Sequence, residues 1–209
     1  MTSKKHWETI YASKAPESLS WYQAHADDSL RLLQAVGLPL DVAIIDVGGG
    51  ASTLVDELLN LGYQRITVLD LSSAALALTR ERLGARAAAV QWLEADILTA
   101  TLPEHAYDVW HDRAVFHFLT RPADQQDYVR AVLQTLKPVG TLLLATFPED
   151  GPTTCSGLAV VRYSPERLQE SLGTALRLLN HGWLCHRTPG GAEQHFLSCR
   201  FQRTSPSFA

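Results

Sequence analysis

The stretch Ile44-Ile45-Asp46-Val47-Gly48-Gly49-Gly50 decides the fold. Its first half continues a short apolar, β-branched run from Val42, the mark of a strand buried on both faces. Its second half is three consecutive glycines. They permit a sharp turn and let a ligand approach the backbone closely. Ala51–Leu61 then reads as a helix, ended by Gly62. Strand, glycine turn and helix in this order belong to an open parallel sheet, whose ligands bind at the carboxyl ends of the strands.

The pattern repeats downstream. Ile66–Leu69 is predicted as a second strand, and Ser72 or Ser73 caps a helix running to Leu83 before Gly84. Val90–Leu93, Tyr107–Trp110 and Thr141–Thr146 read as strands three to five. A helix is expected over 123–136, and a turn at Lys137-Pro138-Val139-Gly140. Upstream, Leu30, Leu33 and Val36 share one face of a helix over 27–36. Pro165–Leu172 reads as a short helix, and 176–186 and 194–203 as an antiparallel pair across Thr188-Pro189-Gly190-Gly191. The expected fold class is α/β: a doubly wound sheet with helices on both faces and an antiparallel edge.

The 209 residues suit one such domain. Within it we expect an N-terminal lid segment (1–25), a cofactor-binding core (26–150), and a substrate loop with C-terminal antiparallel strands (151–209). The net charge is −4 and no basic run occurs, which argues against a nucleic-acid partner. The start lacks the apolar core of a signal peptide, and no apolar run is long enough to span a membrane. Three cysteines without paired spacing suggest free thiols, hence a cytoplasmic protein, expected as a monomer or homodimer.

Two further acids follow the glycine turn. Asp70 ends the second strand 24 positions after Asp46, near the separation expected of an acid that receives ribose hydroxyls. Asp96 follows the third strand, where it can accept from an adenine amino group. Leu71 and Ile97 flank the place where that ring would lie. An acid at one strand end is often only a helix cap; three in succession at one sheet edge are a pattern.

Asp46-x-Gly48-x-Gly50, Val68-Leu69-Asp70 and Ala95-Asp96-Ile97 resemble the successive cofactor motifs of class I S-adenosylmethionine-dependent methyltransferases. The resemblance spans about residues 28–147. It implies a Rossmann-like seven-stranded sheet with an antiparallel last strand, and S-adenosylmethionine as cofactor. It also implies a cofactor site of Asp46, Gly48, Gly49, Gly50, Asp70, Leu71, Asp96 and Ile97, joined by Trp21 of the N-terminal segment. Ser52 stands where a further glycine is common. A nicotinamide dehydrogenase is the nearest competitor. Gly48-x-Gly50-x-x-Thr53 lacks the last glycine of its fingerprint, and Asp46 puts a negative charge where a pyrophosphate would lie.

The fourth strand ends in Trp110-His111-Asp112-Arg113, followed by His117. His111, Asp112, Arg113 and His117 are therefore the candidate catalytic residues. A cation such as Arg113 would stabilise a thiolate, and a histidine would serve a hydroxyl as base. Trp110-His111-Asp112-Arg113, Asp127-Tyr128 and Phe147-Pro148-Glu149-Asp150-Gly151-Pro152 are similar to thiopurine-type small-molecule S-methyltransferases, with His111 inserted. Trp7, Tyr11, Trp21 and Tyr22 fit the aromatic lid of that group. The Asn-Pro-Pro-Tyr motif of nucleobase and glutamine amino-methylases is absent. The expected reaction is methyl transfer to a small-molecule acceptor, a thiol or related heteroatom preferred. Protein lysine methylation and a non-catalytic cofactor-binding partner subunit are the alternatives. His186 and His195 on the last two strands could face the same pocket, and with His111, His117 and Cys155 make a metal site conceivable; no ligand pair has a recognised spacing, so none is assigned.

Overall fold

A computed structural model describes residues 4–204. Parallel strands β1 (Ala43–Val47), β2 (Arg65–Asp70), β3 (Val90–Glu94), β4 (Tyr107–Arg113) and β5 (Leu136–Thr146) form most of the sheet. Helices α1 (Lys4–Ser13) and α2 (Asp27–Gln34) precede β1. Helices α3 (Leu54–Leu61), α4 (Ser73–Leu83) and α5 (Pro122–Thr135) connect strands, and α6 (Pro165–Leu172) follows β5. A small hairpin, β6 (Thr154–Cys155) and β7 (Leu158–Ala159), lies between β5 and α6. Two long strands, β8 (Leu176–Arg187) and β9 (Glu193–Arg203), close the chain.

The seven-stranded sheet runs β3-β2-β1-β4-β5-β9-β8, with β9 antiparallel to both neighbours. The chain winds outward from β1 in one direction and resumes at β4 on its other side. This is the topological switch point at which open α/β sheets hold ligands. Successive side chains of a strand point to opposite faces, so the two isoleucines of β1 serve two cores. Ile45 packs with Trp110, Leu142 and Leu144 under Tyr128 and Val132 of α5 and Leu168 of α6. Ile44 packs with Val68, Val109 and Leu143 under Leu33 of α2, Leu54 and Leu58 of α3 and Leu76 of α4. Every residue of β1 is buried. The continuous apolar reading of this strand therefore matches a sheet covered on both sides.

Local signals set most boundaries. Ser72 caps α4 by accepting from the Ala75 amide, and Ser164 caps α6 by accepting from that of Arg167. Four elements differ from expectation. Helix α1 was not anticipated, because none of its residues is buried and its apolar periodicity is weak. Helix α3 begins at Leu54, since 51–53 belong to the turn. Strand β4 runs three residues beyond Trp110, because His111 and Asp112 are buried through hydrogen bonds rather than apolar contact. The segment 137–140 is not a free turn. Strand β5 already starts at Leu136, and a register shift against Tyr107 and Val109 absorbs Val139, whose φ is 58°.

Leu144 is 1% exposed at the centre of the sheet. Leu144→Ala should destabilise the fold by about 2–5 kcal/mol, read as a lowered denaturant midpoint with an unchanged slope.

Candidate functional site

One cavity occupies the carboxyl edge of β1, β2 and β4. Its charged lining consists of Asp46, Asp70 and Asp96, with Arg113 as the single permanent cation. The turn after β1 forms its floor. The amide of Gly50 donates to Asp70 Oδ2 at 2.9 Å, and that of Ser72 to Asp70 Oδ1 at 2.8 Å. A Cβ at Gly50 would collide with the Asp70 carboxylate, and one at Gly49 with that of Asp46. Only glycine permits this approach. Burial raises the Asp70 carboxyl to about 6 despite its two backbone donors. Asp96 accepts from the Leu98 amide at 3.0 Å, and Leu71 and Ile97 line the cavity beside it.

Asp46 is 2% exposed. Its Oδ1 accepts from His111 Nδ1 at 2.7 Å, and its Oδ2 is buried with no partner. A buried carboxylate oxygen left free in a cavity is a site for a cationic donor. Arg113 lines the same cavity. Its Nη1 donates to the Trp21 carbonyl at 3.1 Å, its guanidinium lies 4.9 Å from the Phe196 ring centre, and its Nη2 is buried without a partner. Burial lowers its pKa to about 10, a fall that the charges of Asp28, Cys155 and Asp46 oppose. The Cys155 thiol lines the cavity nearby; burial raises its pKa and the charge of Arg113 opposes that rise.

The N-terminal segment covers the cavity beside Arg113. Trp7 packs edge-on against Trp21 and Phe118, and Tyr11 against Trp21. Three backbone carbonyls fasten it down. Besides Trp21 on Arg113, Ser20 accepts from His186 Nε2 at 2.7 Å and Gln23 from the Thr53 hydroxyl at 3.1 Å. Glu8 of α1 accepts from the Ser73 amide and hydroxyl at the start of α4. Burial holds the Tyr11 phenol protonated, well above its usual range.

Most predicted site residues meet here. Asp46, Gly48, Gly49, Asp70, Leu71, Asp96, Ile97, Trp21, His111 and Arg113 all line the cavity, while Gly50 supports it from beneath through Asp70. Two catalytic candidates do not. Asp112 is fully buried and turned to the fold, where it accepts from the amides of Val115 and Phe116 and the Tyr128 hydroxyl. It is a structural acceptor shaping the loop after β4. His117 is fully buried among Phe118 and Phe147, outside the cavity lining. Burial and the neighbouring Arg113 lower its pKa to about 3, so it stays neutral and cannot serve as a base near neutrality. His111 does line the cavity, yet both of its nitrogens are engaged, by Asp46 and Ser29. The five-residue metal cluster is not assembled either. Among the described residues, three ligand atoms come together only at Cys185, Glu193 and His195, on the exposed outer hairpin. Sequence reading missed the roles of Ser29 and Thr53, which act through single hydrogen bonds and leave no pattern, and His186, expected at this pocket, holds the Ser20 carbonyl instead.

The fold has the class I arrangement seen in S-adenosylmethionine-dependent methyltransferases. Residues 44–140 match the family described as a methyltransferase domain. The free Asp46 oxygen, the glycine turn and the acids after β2 and β3 would fit S-adenosylmethionine, the cofactor used on this fold. Mouse "eEF1A lysine and N-terminal methyltransferase" is 23% identical over 141 residues, which is 68% of this chain but 20% of that protein, so the chain spans about a fifth of this relative. Human "EEF1A lysine methyltransferase 2" is 21% identical over 69% of this chain and 67% of its own. Among solved structures, one described as "Conversion of a Disulfide Bond into a Thioacetal Group during Echinomycin Biosynthesis" aligns with a TM-score of 0.80 at 19% identity, over 98% of this chain and 94% of that one. The 1,6-didemethyltoxoflavin-N1-methyltransferase of Burkholderia thailandensis aligns with a TM-score of 0.70 at 18% identity, over 98% and 85%.

The raised Asp70 carboxyl predicts a pH dependence. Above its pKa of about 6 the group is ionised and both oxygens can accept from a ligand's hydroxyls; below it a proton occupies one acceptor site. Affinity for S-adenosylhomocysteine, measured by calorimetry, should fall roughly tenfold from pH 8 to pH 5. Asp70→Asn should bind more weakly at pH 8 and lose most of that slope.

Proposed function

We propose that this chain transfers a methyl group from S-adenosylmethionine to a small acceptor that reacts through a soft nucleophile, a thiolate foremost. The observation that carries this reading is Arg113. A buried guanidinium with a free Nη2 lines the cavity, near Asp28 and Asp46 but hydrogen-bonded to neither. Such a cation favours an anionic nucleophile and disfavours an ammonium. A neighbour concerned with disulfide-to-thioacetal conversion is compatible with sulfur chemistry on this fold, though that chemistry belongs to the neighbour.

The cofactor, when bound, supplies an electrophilic sulfonium methyl. The chain's own residues do the rest. Asp46 and Asp70 hold the two ends of the ligand's charged and hydroxylated parts. Arg113 lowers the pKa of an arriving thiol, so its proton leaves to solvent and no side-chain base is required. Asp46 and Asp70 would hold the sulfonium donor so that its methyl faces the sulfur of an acceptor held near Arg113. Trp7, Tyr11, Trp21 and Phe118 act as a lid that excludes water and fixes the line of attack.

Protein lysine methylation is the second reading, favoured by the names of the curated relatives. It calls for an acidic channel to a peptide groove. The acceptor end here is lined by Trp7, Tyr11, Trp21, Phe118 and Cys155 around a cation.

A panel of thiols, phenols, amines and lysine peptides, assayed for S-adenosylhomocysteine release, tests the proposal. Thiols should give the highest kcat/KM, and Arg113→Ala should lower it about 10- to 100-fold, in line with loss of a charge-assisted contact, with Arg113→Lys recovering part. Thiol turnover indifferent to Arg113→Ala overturns the role of Arg113; preferential peptide turnover selects the second reading.

A further inference from the structure

We propose that Ser29 is a positioning residue for the amino-acid end of the cofactor, acting through His111 on Asp46. Three elements meet in one buried chain of hydrogen bonds. Ser29 on α2, His111 on β4 and Asp46 on β1 are 3%, 4% and 2% exposed. Ser29 Oγ lies 2.9 Å from His111 Nε2, and His111 Nδ1 lies 2.7 Å from Asp46 Oδ1.

The direction of this chain follows from the acceptors. A carboxylate only accepts, so Nδ1 carries the hydrogen. In the neutral ring Nε2 is then the acceptor, and the Ser29 hydroxyl donates to it. Asp46 Oδ1 is thereby consumed, and the carboxylate is fixed in rotation. Its Oδ2 stays free, buried against the Gly49 backbone at the cavity floor. The inference rests on S-adenosylmethionine being the ligand. With its ribose and adenine at Asp70, Leu71, Asp96 and Ile97, its α-ammonium is the remaining group that is both cationic and a hydrogen-bond donor.

Loss of the Ser29 hydroxyl leaves Nε2 unsatisfied in a dry site. The ring is then free to tilt, moving the carboxylate that should receive the ammonium. This weakens the amino-acid end and spares the nucleoside end. A merely structural Ser29 would weaken both equally.

The experiment compares two ligands by calorimetry at pH 7.5: S-adenosylhomocysteine, and 5′-methylthioadenosine, which keeps adenine, ribose and thioether but has no amino-acid group. In Ser29→Ala the Kd for S-adenosylhomocysteine should rise about tenfold, the effect of losing one buried hydrogen bond, while that for 5′-methylthioadenosine stays within twofold. Ser29→Thr, which keeps the hydroxyl, should recover most of the lost affinity. Equal losses for the two ligands in Ser29→Ala, or S-adenosylhomocysteine affinity within twofold of the parent, overturn the proposal. Parent protein that binds 5′-methylthioadenosine as tightly as S-adenosylhomocysteine also overturns it, since the ammonium then has no partner. Parent protein that binds neither ligand removes the cofactor reading itself.

Discussion

The amide of Gly50 donating to the Asp70 carboxylate is the contact on which the site depends. It ties the turn after β1 to the end of β2, neighbouring strands in the sheet. It demands a residue without a Cβ at position 50 and a buried acid at position 70. It consumes one acceptor direction of each carboxylate oxygen in concert with Ser72, leaving the others toward the cavity. Neither the turn nor the acid makes physical sense alone. A buried carboxylate without those donors would be expelled to water, and a glycine turn without that acceptor would bury an unpaired amide.

This mutual dependence explains what the sequence discloses. Asp46, the three glycines, Asp70 and Asp96 are legible because each sits at a strand end whose position follows from the apolar run before it. The sheet itself is legible for a related reason. A strand covered on both faces must be apolar throughout, and Ile44 and Ile45 serve opposite cores. Helix α1 was silent because a helix with no buried residue needs no apolar stripe. Strand β4 read short because polar side chains ended its apolar run while hydrogen bonds carried it onward.

The same logic separates the four residues once grouped as chemical candidates. His111, Asp112, Arg113 and His117 are close in sequence but divide between two environments. Alternation along β4 sends Asp112 to Tyr128 and the loop amides, and leaves His111 and Arg113 at the cavity. His117, beyond the strand, is enclosed by aromatic rings. Strand periodicity orders the first three; the packing of His117 depends on Phe147, which follows β5. No local pattern reports such a neighbour.

The N-terminal segment is held by its main chain. Arg113, His186 and Thr53 take the carbonyls of Trp21, Ser20 and Gln23 and touch none of those side chains through hydrogen bonds. A grip of this kind is indifferent to residue identity. Gln23, which lines the cavity, can therefore be rewritten while its carbonyl stays fastened to Thr53. Where the main chain does the holding, the side chain at that position is left free to vary.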